Sequence, residues 1–242
     1  MKSNSSFLAA AATLLITLPA HAAVLASYEF AGATPAARAA VTTSAANLTA
    51  GSFSFASAFS DDVTANRAGF SSASNIFARV TATTASNLTG AITANEYVTV
   101  TITPDSGYQL NLTSLTVDLG YSLAAASVPL GVGVNLGATV FSSVDGFTVP
   151  SALATQTFTA ADTSLETGAT LFQNVNIDLT GPAYQGLSGP LEFRIYLYDN
   201  ENTQTQPIHR IDNFILNGAV VPEPSAALLG GLGMLALLRR RR

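Results

Sequence analysis

Apolar side chains recur at every second position in run after run through the middle of the chain, the period of a pleated strand with one buried face. Val98, Val100 and Ile102 alternate with Tyr97, Thr99, Thr101 and Thr103, and Val132, Val134 and Leu136 alternate with small residues. Val175, Ile177 and Leu179 alternate with Asn and Asp, and Leu191, Phe193, Ile195 and Leu197 with Glu192, Arg194, Tyr196 and Tyr198. Phe53, Phe55 and Phe59 share one face of a strand expected over Ser52 to Phe59. Leu110 and Leu112 fall on one phase, but Leu115, Val117 and Leu119 fall on the other. That change of phase predicts a bulge or bend near Thr113-Ser114.

Turn signals separate these runs: Pro104-Asp105-Ser106-Gly107, Asp145-Gly146, Gly181-Pro182, Ser188-Gly189-Pro190 and the stretch from Asp199 to Pro207. No segment carries a convincing helical stripe. The Ala-rich stretch Pro35 to Asn47 has the composition of a short helix, but Thr42, Thr43 and Ser44 argue for a loop. Thr occurs 28 times and Ser 23 times, so hydroxyls take the surface positions that Lys and Glu fill in helical proteins. Thr is also β-branched and suits a strand. Short alternating strands with Gly and Pro turns predict an all-β domain over residues 23–220. Its expected architecture is an antiparallel β-sandwich of the jelly-roll kind.

The two ends follow a different pattern. Met1 and Lys2 open a polar run to Ser6, an apolar run of 12 residues extends from Phe7 to Leu18, and Ala20-His21-Ala22 supplies small residues at a cleavage position. A membrane span needs about 20 apolar residues, so residues 1–22 read as a secretory signal peptide, cut after Ala22 by a signal peptidase. Residues 221–242 hold Pro222-Glu223-Pro224, an apolar stretch from Ala226 to Leu238, and Arg239, Arg240, Arg241 and Arg242. The arginine cluster is a stop that stays on the cytoplasmic side and leaves the body outside. As a helix, Ser225 to Leu238 reaches only about 21 Å, short of a ~30 Å hydrocarbon core, and Gly230, Gly231 and Gly233 weaken it further. Such a transmembrane helix suits a transient hold followed by cleavage.

In its Pro222-Glu223-Pro224 motif, its glycine-broken apolar segment and its arginine cluster, this tail resembles the PEP-CTERM sorting signal of Gram-negative bacteria. The resemblance covers about the last 22 residues. It implies recognition by an exosortase, a membrane-embedded cysteine transpeptidase, and transient association with the inner membrane. Delivery to the cell surface or an exopolysaccharide matrix would follow. Pro222, Glu223 and Pro224 are then substrate residues and not catalysts.

Charge and composition narrow the functional classes. The chain has 10 basic and 15 acidic residues, no Cys and no Trp. Few cations make binding to a row of nucleic-acid phosphates unfavourable, and no Cys removes disulfides, thiolate metal sites and thiol nucleophiles. Residues 23–222 hold Arg38, Arg67, Arg79, Arg194 and Arg210, no Lys, and 14 acidic residues, a formal charge of −9.

Candidate chemistry is sparse. His209 is the sole histidine after Ala22, and there is no G-x-S-x-G elbow, which disfavours a nucleophilic triad. Beside Arg210 and after Pro207, His209 is expected to be exposed or at a sheet edge. Glycosidase chemistry needs two carboxylates across a cleft, for which Glu192 and Asp212 are cross-strand candidates. Tyr196 and Tyr198, on the polar phase of their strand, are candidates for stacking on a sugar ring. Asp199-Asn200-Glu201-Asn202 reads as a solvated hairpin loop, and the three Asn-Leu-Thr runs at Asn47, Asn87 and Asn111 as turns leading into strands.

The segment Arg210 to Gly218, with its Ile211-Asp212-Asn213 run, resembles the closing strand of bacterial jelly-roll and carbohydrate-binding modules. That resemblance implies a structural calcium ion shared by an early acidic residue, Glu29, and a late one, Asp212. Ion pairing of Glu29 with Arg210 or Arg194, or turn hydrogen bonds at Asp212, explains the same residues without a metal. The expected function is a non-enzymatic exported protein of the surface or exopolysaccharide matrix, with modest carbohydrate binding. The competing reading is a carbohydrate-active enzyme or lectin with a defined glycan groove.

Overall fold

The computed structural model describes residues 23–59, 67–80, 85–122, 135–159, 170–200 and 208–224, together with Gly233 and Arg239. The leader, Val132, Val134 and Arg240 to Arg242 lie outside the described residues, as does most of the tail's apolar stretch. In chain order the strands are β1 (Ala23–Tyr28), β2 (Thr43–Ser44), β3 (Leu48–Ala50), β4 (Ser54–Phe55), β5 (Arg67–Phe70) and β6 (Ile76–Arg79). They continue with β7 (Tyr97–Pro104), β8 (Tyr108–Ser122), β9 (Asn135–Ser142), β10 (Ala154–Thr159), β11 (Thr170–Asp178), β12 (Leu191–Asp199) and β13 (Ile208–Pro222). Two short helices, α1 (Pro35–Ala39) and α2 (Leu88–Ala94), interrupt them.

The strands form two antiparallel sheets. One has the order β11-β8-β13-β1-β2, with β6 pairing β13 and β5 pairing β6; the other has the order β10-β9-β12-β7-β3, with β4 also on β7. Facing apolar rows fill the space between them. Leu191, Phe193, Ile195 and Leu197 are buried, as are Val98, Val100 and Ile102, so the period-2 reading of β7 and β12 holds.

The long central pair, β8 and β13, sets the shape of the first sheet. Between the pairs Asn217↔Ser114 and Gly218↔Leu112 one extra residue, Thr113, sits on β8, the bulge that the change of hydrophobic phase predicts. It lets Leu110, Leu112, Leu115, Val117 and Leu119 all face the core. A second bulge lies on β13 between Asp212 and Ile215, where Asn213 takes the left-handed φ of 46°. At that bulge the other edge of β13 changes partner, from β6 at His209 to Ile211 to β1 at Phe214 to Gly218.

An aromatic cluster joins the sheets. Phe214 of β13 lies 5.9 Å from Tyr28, 5.3 Å from Phe53 and 5.7 Å from Phe193, centroid to centroid. The Tyr28 hydroxyl donates to the Gly51 carbonyl at 2.6 Å, and burial holds this phenol protonated far above its usual range.

Several expectations change in three dimensions. The expected strand over Ser52 to Phe59 shrinks to Ser54–Phe55, although Phe53 is buried and Phe55 and Phe59 pack on the core. Helix α2 has no counterpart in the hydrophobic pattern, because seven residues are too short to show a stripe. Its signal is in the caps: Asn87 Oδ1 accepts from Gly90 N at 2.9 Å, and Asn95 closes it at φ 58°. Asn87 therefore caps a helix and Asn111 lies within β8, so among the three Asn-Leu-Thr runs only Asn47, at φ 61° just before β3, leads into a strand by a turn. Of the expected solvated hairpin loop, Asp199 is buried at the end of β12, and β12 and β13 belong to different sheets and do not pair as a hairpin; Glu201 and Asn202 lie outside the described residues.

Candidate functional site

The Pro-Glu-Pro run begins inside the folded domain. Pro222 is the last residue of β13 and pairs with Tyr108, and Glu223 N donates to Gly107 O at 2.8 Å. Gly107 has φ 85° in the β7–β8 turn, a conformation that favours glycine, so this turn fixes the point from which the tail leaves. Proline suits that place, since a strand terminus loses nothing by lacking an N–H. No helix among the described residues is long and apolar enough to cross a membrane.

Glu29 and Asp212 do approach one another. Glu29 follows β1, whose Tyr28 pairs with Phe214, and Asp118 of β8 is registered opposite Asp212. Burial, with the negative charges of Asp118 and Glu29, pushes the Asp212 carboxyl up to about 6. Three of the nearby carboxylate oxygens have amide partners: Asp118 accepts from Asn174 Nδ2 and Asn213 Nδ2, both at 2.7 Å, and Asp212 Oδ1 accepts from Asn213 N at 2.9 Å. Among the described residues no three acidic or imidazole side chains converge as a metal cage. Calcium takes six to eight oxygens, so this donor set does not fit the ion without additional ligands. No ion pair joins Glu29 to Arg194 or Arg210 among the described residues; Arg194 pairs with Glu192.

On the outer face of the second sheet Arg194 Nε donates to Glu192 Oε1 at 2.7 Å, and its guanidinium lies 4.4 Å from the Tyr97 ring centroid and 3.9 Å from that of Phe147. Phe147 belongs to the β9–β10 connection, which thus roofs this face. Tyr196 consequently is not a sugar platform: it is 1% exposed, with Tyr97 at 5.0 Å and Phe141 at 5.6 Å. Tyr198 is half-buried and lies over Gly137, where a Cβ would meet its ring at 2.0 Å. The carboxylates Glu192 and Asp212 belong to opposite sheets and point out from opposite faces, so they do not form a pair across a cleft.

His209 corrects the expectation of an exposed or edge residue. It is 1% exposed, facing inward on a strand paired on both sides, with Ala78 on one and Tyr121 on the other. Burial pushes its imidazole down to about 4, and Nε2 has no hydrogen-bond partner among the described residues. It is a neutral core side chain.

Nothing in the hydrophobic pattern singles out the β5–β6 corner. There an open groove of about 350 Å³ is lined by Arg67, Phe70, Ser71, Ser72, Phe77, Arg79, Ile208 and Arg210. The available signal was charge: four of the five arginines of the body come from Arg38, Arg67, Arg79 and Arg210. Arg38 joins this corner by donating to the Phe70 carbonyl at 3.3 Å.

The fold and its exit strand define a two-sheet β-sandwich that ends in a sorting signal. Residues 220–242 match the PEP-CTERM protein-sorting motif. The chain carries that motif, which marks an exported protein and implies membrane-associated processing by an exosortase. No curated protein matches the chain. Among solved structures it is similar to a carbohydrate-binding module described for specific mannan recognition, with 11% identity, 83% of this chain and 99% of that one covered, and a TM-score of 0.36. It is also similar to an arabinose-bound α-L-arabinofuranosidase, at 14% identity and a TM-score of 0.35, covering 81% of this chain and 27% of the length of that one. A Stig cyclase from Fischerella sp. TAU is a further similar structure, at 11% identity, 80% and 83% coverage and a TM-score of 0.30.

Proposed function

We propose that this chain is a non-enzymatic protein of the cell surface or exopolysaccharide matrix of a Gram-negative bacterium. Its residues 1–22 act as a signal peptide removed by signal peptidase, and its tail is held transiently in the inner membrane until an exosortase cuts it near Pro222-Glu223-Pro224. The sandwich is the cargo, and modest binding of exopolysaccharide is its role at the destination. The observation that carries this reading is the sorting motif at residues 220–242, continuous with the closing strand of the folded body.

Mass spectrometry of the mature protein tests it. The expected C-terminus lies near the motif, and an intact Arg242 in the mature protein would overturn the sorting reading. The calcium expectation at Glu29 and Asp212 has its own test: a thermal midpoint that calcium raises in wild type and leaves unchanged in Asp212→Asn would support the ion. Identical melts in calcium and in chelator would remove it from the reading.

A further inference from the structure

We propose that the groove between β5, β6 and the start of β13 is an anion site that takes the carboxylates of an acidic polysaccharide. Its three lining arginines stand in a body of formal charge −9, where chance would place most cations beside carboxylates. Among the described residues none of the three has a carboxylate partner; Arg210 donates to two neutral acceptors, Ser122 Oγ at 2.8 Å and Asn75 Oδ1 at 3.1 Å.

The arrangement is costly without an anion. Arg67 and Arg79 are directly opposite in the β5–β6 ladder, and like charges in that relation destabilise a sheet. Burial, together with the positive charge of Arg67, lowers the basicity of Arg79. Phe77 sets the floor: it is registered with Gly69 on one side and Arg210 on the other, and its ring lies so close over Gly69 that a Cβ there would meet it at 2.9 Å. The guanidiniums of Arg67 and Arg210 then stand 5.8 Å and 5.9 Å from the centroid of that one ring. Asn75 and Ser122 hold Arg210 in place, so part of the ordering cost is met before a ligand arrives.

A carboxylate accepts charge-assisted hydrogen bonds from guanidinium forks. The Ser71 and Ser72 hydroxyls suit sugar hydroxyls, and the Phe70 and Phe77 rings give an apolar wall for a sugar's C–H face. The choice of a glycan as carrier of the carboxylate rests on the export reading; the anion site does not. Lipid phosphates of the membrane that holds the tail are a poorer occupant. Arg210 and Pro222 lie 12 residues apart along β13, which places the groove about 40 Å from the tail's exit.

The test is titration of the full-length chain in detergent with trigalacturonate, its methyl ester and inorganic phosphate, at low and high salt. Trigalacturonate should bind at low salt and weaken as salt rises, and the ester should not bind. Arg67→Gln and Arg79→Gln should each weaken binding about tenfold, while Arg194→Gln leaves it unchanged. Because each groove substitution relieves a like-charge pair, its unligated thermal midpoint should stay level or rise. Equal affinity for trigalacturonate and its ester overturns the proposal, and so does binding of phosphate without trigalacturonate. Both variants melting earlier would also overturn it, since the arginines would then be serving carboxylates such as Asp61 or Asp62, which lie outside the described residues. An intact Arg242 with trigalacturonate binding retained would remove the matrix setting and leave the site.

Discussion

His209 and Asp212 stand three residues apart on β13 and face opposite sides of their sheet, so the fold pushes their proton affinities in opposite directions. His209 titrates near 6.5 when unfolded and near 4 in the core. Between those values the unfolded chain binds a proton that the native state refuses, so this residue removes about 3 kcal/mol of stability as pH falls from 6.5 to 4. Asp212 moves from 3.8 to about 6, so its contribution is present below 3.8 and lost as pH rises through 6. Its partial exposure reduces the effect to about 1 kcal/mol. Asp212→Asn should therefore raise the midpoint at pH 7.5 by about 2 to 4 °C and steepen the loss of stability in acid. His209→Gln should flatten or reverse the acid limb; a wild-type-like acid limb in that variant would contradict the buried, neutral imidazole. The position of His209 was not legible locally. The flanking Pro207 and Arg210 suggested an edge, but pairing on both sides of β13 makes this a central strand.

At the scale of the element, the bulges decide which side chains each long strand can bury. Without Thr113, a continuous β8 would present either Leu110 and Leu112 or Leu115, Val117 and Leu119 to solvent, because the side-chain period is two. Deleting Thr113 should cost at least about 3 kcal/mol in chemical denaturation, the burial of two leucines at the low end of the usual range. A loss within 1 kcal/mol of wild type would mean that the ladder re-registers without turning either set outward. This bulge was readable because both hydrophobic phases are written in adjacent residues. The bulge at Asn213 was not, since it answers a non-local demand, the change of partner from β6 to β1. The burial of Tyr196 has a similar cause: its phase puts it on the outer face, but Phe147, from the β9–β10 connection, packs on Arg194 of the same strand and covers that face.

For the molecule as a whole, Phe214 links the sheets through rings from both. Its replacement by Ala should cost about 3 to 5 kcal/mol, a large fraction of a domain's net stability. Urea denaturation measures this, and a cost under 1 kcal/mol would show that the cluster collapses around the gap. The same scale gives the molecule a direction. The start of β1 and the end of β13 lie side by side, with Ala23 opposite Gly218, while Arg210 lies toward the far end of β13. Sequence alone determined the all-β class, the rows that form the core, the Thr113 bulge and the sorting tail, because each is written in residues next to or two apart from one another. Tertiary structure decided that Glu192 and Asp212 look away from each other, that His209 is interior, and that arginines spread from position 38 to 210 meet at one corner. Those outcomes depend on which sheet each strand joins. Sheet membership is set by packing between residues far apart in the chain, which no local period records.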